Sequence, residues 1–163
     1  MSATDELLEN AHRYAASFDK GGLPLPPARQ VAIVACMDAR LNPHGLLGVV
    51  EGDAHVIRNA GGVITDDVIR SLAISQRLLE TREVILIHHT ECGMLTFTDE
   101  EFHQRLVDDT GVAPGWAAQT FRDLEQDVRQ SIELITSSPF IPHKESVRGF
   151  VYDVKTGELR EVT

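Results

Sequence analysis

Cysteine is scarce: the 163 residues contain two. A disulfide framework is therefore excluded, and a single bridge between the two is not expected in a cytoplasmic protein. Basic residues are outnumbered, 15 Lys and Arg against 25 Asp and Glu, which leaves a net charge of -10. That balance argues against nucleic acid or anionic membrane as a partner, and otherwise reads as solubility. No apolar run approaches the roughly 20 residues needed to span a bilayer. The segment Met1-Ser2-Ala3-Thr4-Asp5-Glu6 is acidic and lacks the basic and apolar regions of a secretion signal, so a cytoplasmic location is expected. There is no G-x-G-x-x-G, which sets aside a dinucleotide site. Repeats, low-complexity tracts and long linkers are also missing. What remains, 42% hydrophobic and 25% charged residues, is the profile of one soluble domain with its own core.

The two cysteines sit in polar, motif-like settings. Cys36-Met37-Asp38-Ala39-Arg40 follows one apolar run, and His89-Thr90-Glu91-Cys92 follows another. Two thiols and one imidazole are a soft ligand set of the kind zinc prefers. Three protein ligands leave a fourth position for water or substrate, as in catalytic zinc sites. Cys36, His89 and Cys92 are therefore the expected ligands of one Zn2+ per chain. His88 falls on the opposite face of a strand from His89 and is expected to be packed or hydrogen-bonded instead.

Asp38 and Arg40 are spaced so that, in an extended segment, they share a wall with Cys36. Arg40 can hold the Asp38 carboxylate by a bidentate pair and keep it ionised. Asp38 can then accept a hydrogen bond from a zinc-bound hydroxide and aim its lone pair outward. Zn2+ with two thiolates and a neutral His is formally neutral, so it acidifies its water less than a three-His site. The hydroxide should dominate at higher pH and suits attack on a small electrophilic carbon. The glycine turn in Arg58-Asn59-Ala60-Gly61-Gly62 can bring backbone amides to the pocket. Gly93 can offer its N–H to a substrate oxygen.

Periodicity places these motifs in an α/β layer fold with a mainly parallel sheet. Strands are expected at 31–35, 54–58, 83–88 and 146–154, with a hairpin edge strand at 158–162. Helices are expected at 5–18 (capped by Thr4), 66–80, 98–108 and 119–136. Gly21-Gly22-Leu23-Pro24-Leu25-Pro26-Pro27 breaks the first helix and forms a stiff crossing. Both zinc motifs then fall at the carboxyl ends of strands, where such sheets bind ligands.

In order and spacing, Cys36-x-Asp38-x-Arg40, the Arg58-Asn59-Ala60-Gly61 turn and His89-x-x-Cys92 resemble β-class carbonic anhydrases. The resemblance continues through Ser137-Ser138-Pro139-Phe140-Ile141-Pro142 and Val147 to Asp153, with Thr156-Gly157 after them. It implies a single domain over 1–163 and a zinc lyase that interconverts carbon dioxide and bicarbonate. It also implies a homodimer or homotetramer, with residues 1–28 packing as a helical arm on a partner subunit. By the family's motifs, Cys36, His89 and Cys92 bind zinc, and Asp38 with Arg40 forms the catalytic dyad. Asn59, Gly61 and Gly93 are the substrate-side candidates. In some members the Asp becomes the fourth zinc ligand and closes the site. Longer members carry a Gln where this chain has Pro27, and bicarbonate-regulated ones a Trp where it has Ile33, so the resemblance is to a short branch with an open site. That branch also includes carbonyl sulfide hydrolases, an alternative activity at the same zinc. A zinc-stabilised binding protein without catalysis is a third reading, against which the intact Asp38–Arg40 pair speaks.

Overall fold

A computed structural model describes residues 2–163. The elements, in chain order, are α1 (Ala3–Ala16), β1 (Val31–Cys36), α2 (Pro43–Leu47), β2 (Ala54–Asn59), α3 (Asp66–Leu78), β3 (Glu83–His89), α4 (Asp99–Thr110), α5 (Leu124–Ser137), β4 (Val147–Tyr152) and β5 (Leu159–Val162), with single 3-10 turns at Ala60–Gly62 and Gly93–Leu95. The strands form one sheet in the order β2-β1-β3-β4-β5. All neighbours are parallel except β4 and β5, which are antiparallel. The α/β class, the mainly parallel sheet, the antiparallel C-terminal edge and the N-terminal helix are as the sequence leads one to expect.

β1 lies inside the sheet, between β2 and β3, and Ala32 to Ala35 are fully buried. Its alternate side chains feed two cores. Ala32 and Val34 join Val84, Leu86, Val68, Leu72 and Ile135 on the face covered by α3 and α5. Ile33 and Ala35 join Ile87, Leu41, Met94 and Phe121 on the other face. A strand buried on both sides has no polar alternation, which is why its pattern is a continuous apolar run.

Several boundaries differ from the sequence reading for identifiable reasons. α1 starts at Ala3 because Ser2, not Thr4, makes a capping box with Asp5. α5 starts at Leu124, capped by Asp123, not at Gln119. Gln119 has left-handed backbone (φ 58), and its amide donates to Asp99, so the chain there is a loop. α4 does carry the Thr98–Glu101 capping box. α2 is an element the pattern did not reveal. Its Asn42 cap, Pro43 at the first turn and left-handed Gly48 are all helix signals, but five residues are too few to show a period. β1 and β3 each run one residue further than expected, so Cys36 and His89 are the last residues of their strands.

Candidate metal and catalytic site

β1 and β3 are hydrogen-bonded neighbours, paired from Val31 with Glu83 to Ala35 with Ile87. Their carboxyl ends therefore lie side by side, and Cys36 and His89 emerge together. Cys92 returns to them through the turn Thr90-Glu91, with Glu91 in a left-handed conformation (φ 53). The donor atoms of Cys36, His89 and Cys92 all lie within 4.8 Å of one another, and all three residues are buried. The two Sγ atoms are 4.0 Å apart. Two thiolates at tetrahedral zinc–sulfur distances would stand about 3.8 Å apart, so the pair is already spaced for a shared cation.

The histidine is oriented the same way. Its Nδ1 lies 2.8 Å from the Thr90 carbonyl, which can only accept, so Nδ1 carries the proton. Its Nε2 is buried with no hydrogen-bond partner and presents its lone pair to the sulfurs. A ring fixed through one nitrogen with the other orphaned in a polar centre is what a ligated imidazole requires. The residues present thus fit a zinc ion.

The electrostatics agree. The hydrogen bond between the thiols pushes Cys36 down and Cys92 up, so the pair sheds one proton readily and holds the other. Burial disfavours protonated His89, but the nearby Cys36 sulfur, the Thr90 carbonyl and Asp38 outweigh it and raise its pKa. A divalent cation would displace those protons and neutralise the cluster.

Asp38 stands beside this group, its Oδ2 3.6 Å from His89 Nε2. The chain does not stay extended beyond Cys36, so the condition for a wall shared through alternation is not met. It turns, with Leu41 N–H donating to the Asp38 carbonyl at 3.0 Å. Asp38 and Arg40 meet across that turn. Arg40 donates from Nε to Oδ1 at 3.0 Å, from Nη2 to Oδ2 at 2.8 Å, and from its backbone N–H to Oδ1 at 2.8 Å. The Arg40 hydrogen bonds, opposed by modest burial, hold Asp38 far below the usual carboxylate range. Arg40 is anchored in turn by the Glu91 carbonyl at 3.0 Å and by its carboxylate at 3.7 Å. Lys155 pairs with that carboxylate at 2.5 Å.

A cleft of about 380 Å³ opens on this cluster, lined by Cys36, Asp38, Gly61, Cys92, Gly93 and Phe97 among others. Gly93 and Gly61 thus reach the pocket. Asn59 does not line it: it faces an adjoining cleft with Ala60, Phe97 and Trp116, donates to the Val63 carbonyl and keeps its Oδ1 buried and unpartnered. Gly62 shows why the turn is glycine-rich. It has φ +68, and a Cβ there would lie 2.9 Å from the Cys36 amide nitrogen. His88 points the other way, to Asp127 of α5 at 2.6 Å and against the Phe121 ring, as expected of a packed histidine.

Sequence reasoning gave no role to Arg58 or Glu91. Arg58 donates to the carbonyls of Cys36, Asp38 and Leu41. The available signal was a lone basic residue at the carboxyl end of the strand beside β1.

Comparison with known proteins agrees with this geometry. The family model described as carbonic anhydrase matches residues 31–159. Beta-carbonic anhydrase 1 of Mycobacterium tuberculosis (strain ATCC 25618 / H37Rv) is 59% identical over 163 residues, covering 100% of this chain and 99% of that protein. The carbonic anhydrase of Streptococcus mutans has a crystal structure that superposes with a TM-score of 0.93 at 45% identity, over 100% of this chain and 99% of that one. A carbon disulfide hydrolase of Acidianus sp. (strain A1-3) is a more distant relative, 33% identical over 96% of this chain and 87% of its own. A match that begins at the first strand and ends in the last, with a relative aligned from end to end, places this chain in the β-carbonic anhydrase family.

Proposed function

We propose that this protein catalyses the reversible hydration of carbon dioxide to bicarbonate at a zinc ion held by Cys36, His89 and Cys92. The observation that carries the reading is the buried thiol–imidazole–thiol group with an ionised carboxylate fixed at its edge. Zinc, when bound, supplies an acidified water as the nucleophile. The protein's own residues do the rest. Asp38, locked by Arg40, is an acceptor that stays ionised and can orient a donor above the Cys–His–Cys group. The apolar side of the cleft, with Phe97, suits a small linear substrate without charge. Gly93, which lines the cleft, offers its N–H to a developing negative oxygen. Asn59 and Gly61 serve by shaping the turn that backs the cleft. Asp38 is a ligand only in a closed form, in which it has let go of Arg40.

The proposal includes assembly. No residue of α1 is buried, and Leu7, Leu8, Tyr14, Phe18, Leu23 and Leu25 are all exposed. Burying such a stripe is worth roughly 25 cal/mol per Å², so residues 1–28 form an arm that packs on a second copy, in a homodimer or a homotetramer. Deleting 2–24 should yield a smaller species by light scattering; an unchanged mass would remove the arm from the interface. No helix among the described residues is long and apolar enough to cross a membrane. The two unpaired thiols suit a reducing compartment, and we place the protein in the cytoplasm.

Stopped-flow carbon dioxide hydration by the zinc-loaded protein is the deciding assay. It should run beside sulfide release from carbonyl sulfide and carbon disulfide, because relatives named as carbon disulfide hydrolases are 33% identical. Turnover of carbon dioxide far above that of the sulfur compounds is expected. Sulfide release without carbon dioxide turnover would reverse the substrate assignment, and neither activity would leave a zinc-stabilised binding protein.

A further inference from the structure

Arg58 is the penultimate residue of β2, in register with Ala35, and Asn59 is in register with Cys36. β2 thus ends beside the loop that carries Asp38. The Asn59 carbonyl extends the pairing by one bond, accepting from Met37 N–H at 2.7 Å. Past that point the loop has no sheet partner. Its carbonyls need donors, and the turn at Asp38 to Leu41 brings those of Asp38 and Leu41 toward that of Cys36 at the strand end.

One guanidinium meets all three. Arg58 donates from Nε and Nη2 to the Cys36 carbonyl at 2.9 and 2.7 Å. The same Nη2 reaches the Asp38 carbonyl at 2.9 Å and the Leu41 carbonyl at 2.8 Å. Three converging carbonyl dipoles repel one another, and a cation at their focus turns that repulsion into attraction. Nη2 reaches all three carbonyls, and Nε adds a second bond to Cys36 that fixes the plane of the fork. A lysine ammonium is a single point and lacks that second anchor. At the far end Leu41 is buried, so the loop is pinned by the core on one side and gathered by Arg58 on the other.

We propose that Arg58 is a positioning residue: by clamping the Cys36, Asp38 and Leu41 carbonyls it fixes the backbone from which Asp38 faces the metal ligands. This rests on the reading of the site as a carbon dioxide hydratase. Arg58 does not line the cleft at Cys36, Asp38 and Cys92, so it acts through Asp38 and not on substrate. Its removal should lower kcat and leave KM unchanged. A displacement of the reacting geometry by about 1 Å can cost ~10²-fold, so Arg58→Ala should lose roughly 10–100-fold in kcat. Arg58→Lys should recover only part of that loss.

A double-mutant cycle with Asp38→Ala tests the link, read by 18O exchange between carbon dioxide and water at high enzyme concentration. If Arg58 works through Asp38, then Arg58→Ala should cost no more than about twofold once Asp38 is gone. Equal fold-losses in the two backgrounds, or a loss in KM instead of kcat, would overturn the proposal. Hydrogen–deuterium exchange of the zinc-loaded protein supplies a readout independent of turnover. In Arg58→Ala and Arg58→Lys the peptide covering 37–41 should exchange faster while the β3 peptide does not. Unchanged exchange at 37–41 would refute the clamp. Absence of carbon dioxide turnover in the unmutated protein would defeat the functional reading alone, with the exchange arm still reporting on the clamp.

Discussion

Arg40→Ala separates the cost of an interaction to the fold from its value to the reaction. In the folded protein the Arg40 side chain is 48% exposed and the Asp38 side chain 19% exposed. An ion pair so close to solvent adds little to stability, so in a chain of this size its loss should lower the melting temperature by no more than roughly 2–4 °C. The backbone donor survives the substitution, because Arg40 N–H still reaches Asp38 Oδ1. What is lost is the Nε bond to Oδ1 and the hydrogen-bond partner of Oδ2. That oxygen is the one 3.6 Å from His89 Nε2, so the freed end of the carboxylate is the end nearest the metal ligands. Asp38 is then able to rotate about its remaining anchor and occupy the fourth position. Turnover should fall by ~10²–10³-fold, or about 3–4 kcal/mol of barrier, while zinc content stays at one per chain. The sign with pH follows. Arg40 depresses Asp38, so the stability this pair adds is present above the unfolded carboxylate pKa of about 3.9 and is lost as pH falls toward the folded value. In the variant that acid limb should be shallower and end at higher pH, because the folded value rises toward the unfolded one. The measurements are stopped-flow hydration, metal analysis and thermal melts on one preparation. Retained turnover would refute the orienting role of the pair, and a melting loss as large as the kinetic one would show the pair to be structural.

Three further outcomes follow from the same geometry. Cys36→Ser should lose most of its zinc by metal analysis, whereas His88→Ala should keep it and lose roughly 2–3 kcal/mol in urea from the emptied space and stranded Asp127 carboxylate; equal zinc loss in both would undo the choice of His89 over His88. Asp99 accepts from Thr120 Oγ1 and from the amides of Thr120 and Gln119, which lower its pKa against slight burial. The stability it adds is present above about pH 3.9 and fades as pH falls below it, so the urea midpoint of Asp99→Ala should depend less on pH in that window than the parent's, and parallel curves would contradict this. Activity should rise from mildly acidic to alkaline pH, because His89 and the thiols must lose protons to hold zinc and the neutral ligand set places nucleophile formation high; a flat pH–rate profile would be incompatible with that.

The parts of the fold that were legible are those where one physical rule dominates. A continuous apolar run such as Val31 to Ala35 has few fates other than a strand buried on both faces, and the Thr98–Glu101 box marks a helix start by its own hydrogen bonds. The illegible parts are where local signals compete with distant ones. Gln119 to Arg122 is helix-compatible by pattern, yet the Asp99 carboxylate captures the amides of Gln119 and Thr120 and holds it as a loop. Nothing local announces a partner twenty residues away. α2 had every capping signal and no period. The turn after Cys36 is illegible for a related reason: spacing offers only alternation along an extended chain, whereas Asp38 and Arg40 meet across a turn.

The site shows a sharper division of the same kind. Cys36, His89 and Cys92 are readable because the residue types are rare and chemically specific, and because parallel neighbours place successive carboxyl ends side by side. Asp38 and Arg40 are readable because opposite charges two residues apart can find each other under almost any local conformation. Arg58 is not readable in that way, since its partners are three backbone carbonyls, and every residue has one. Which carbonyls converge depends on the turn at Asp38 to Leu41, on the buried Leu41 that fixes its end, and on the register that sets Arg58 against Ala35. Groups that act through side-chain chemistry leave a signature in composition and spacing. Groups that act by holding the backbone leave theirs only in the fold, and Arg58, unlike Arg40, is of that kind.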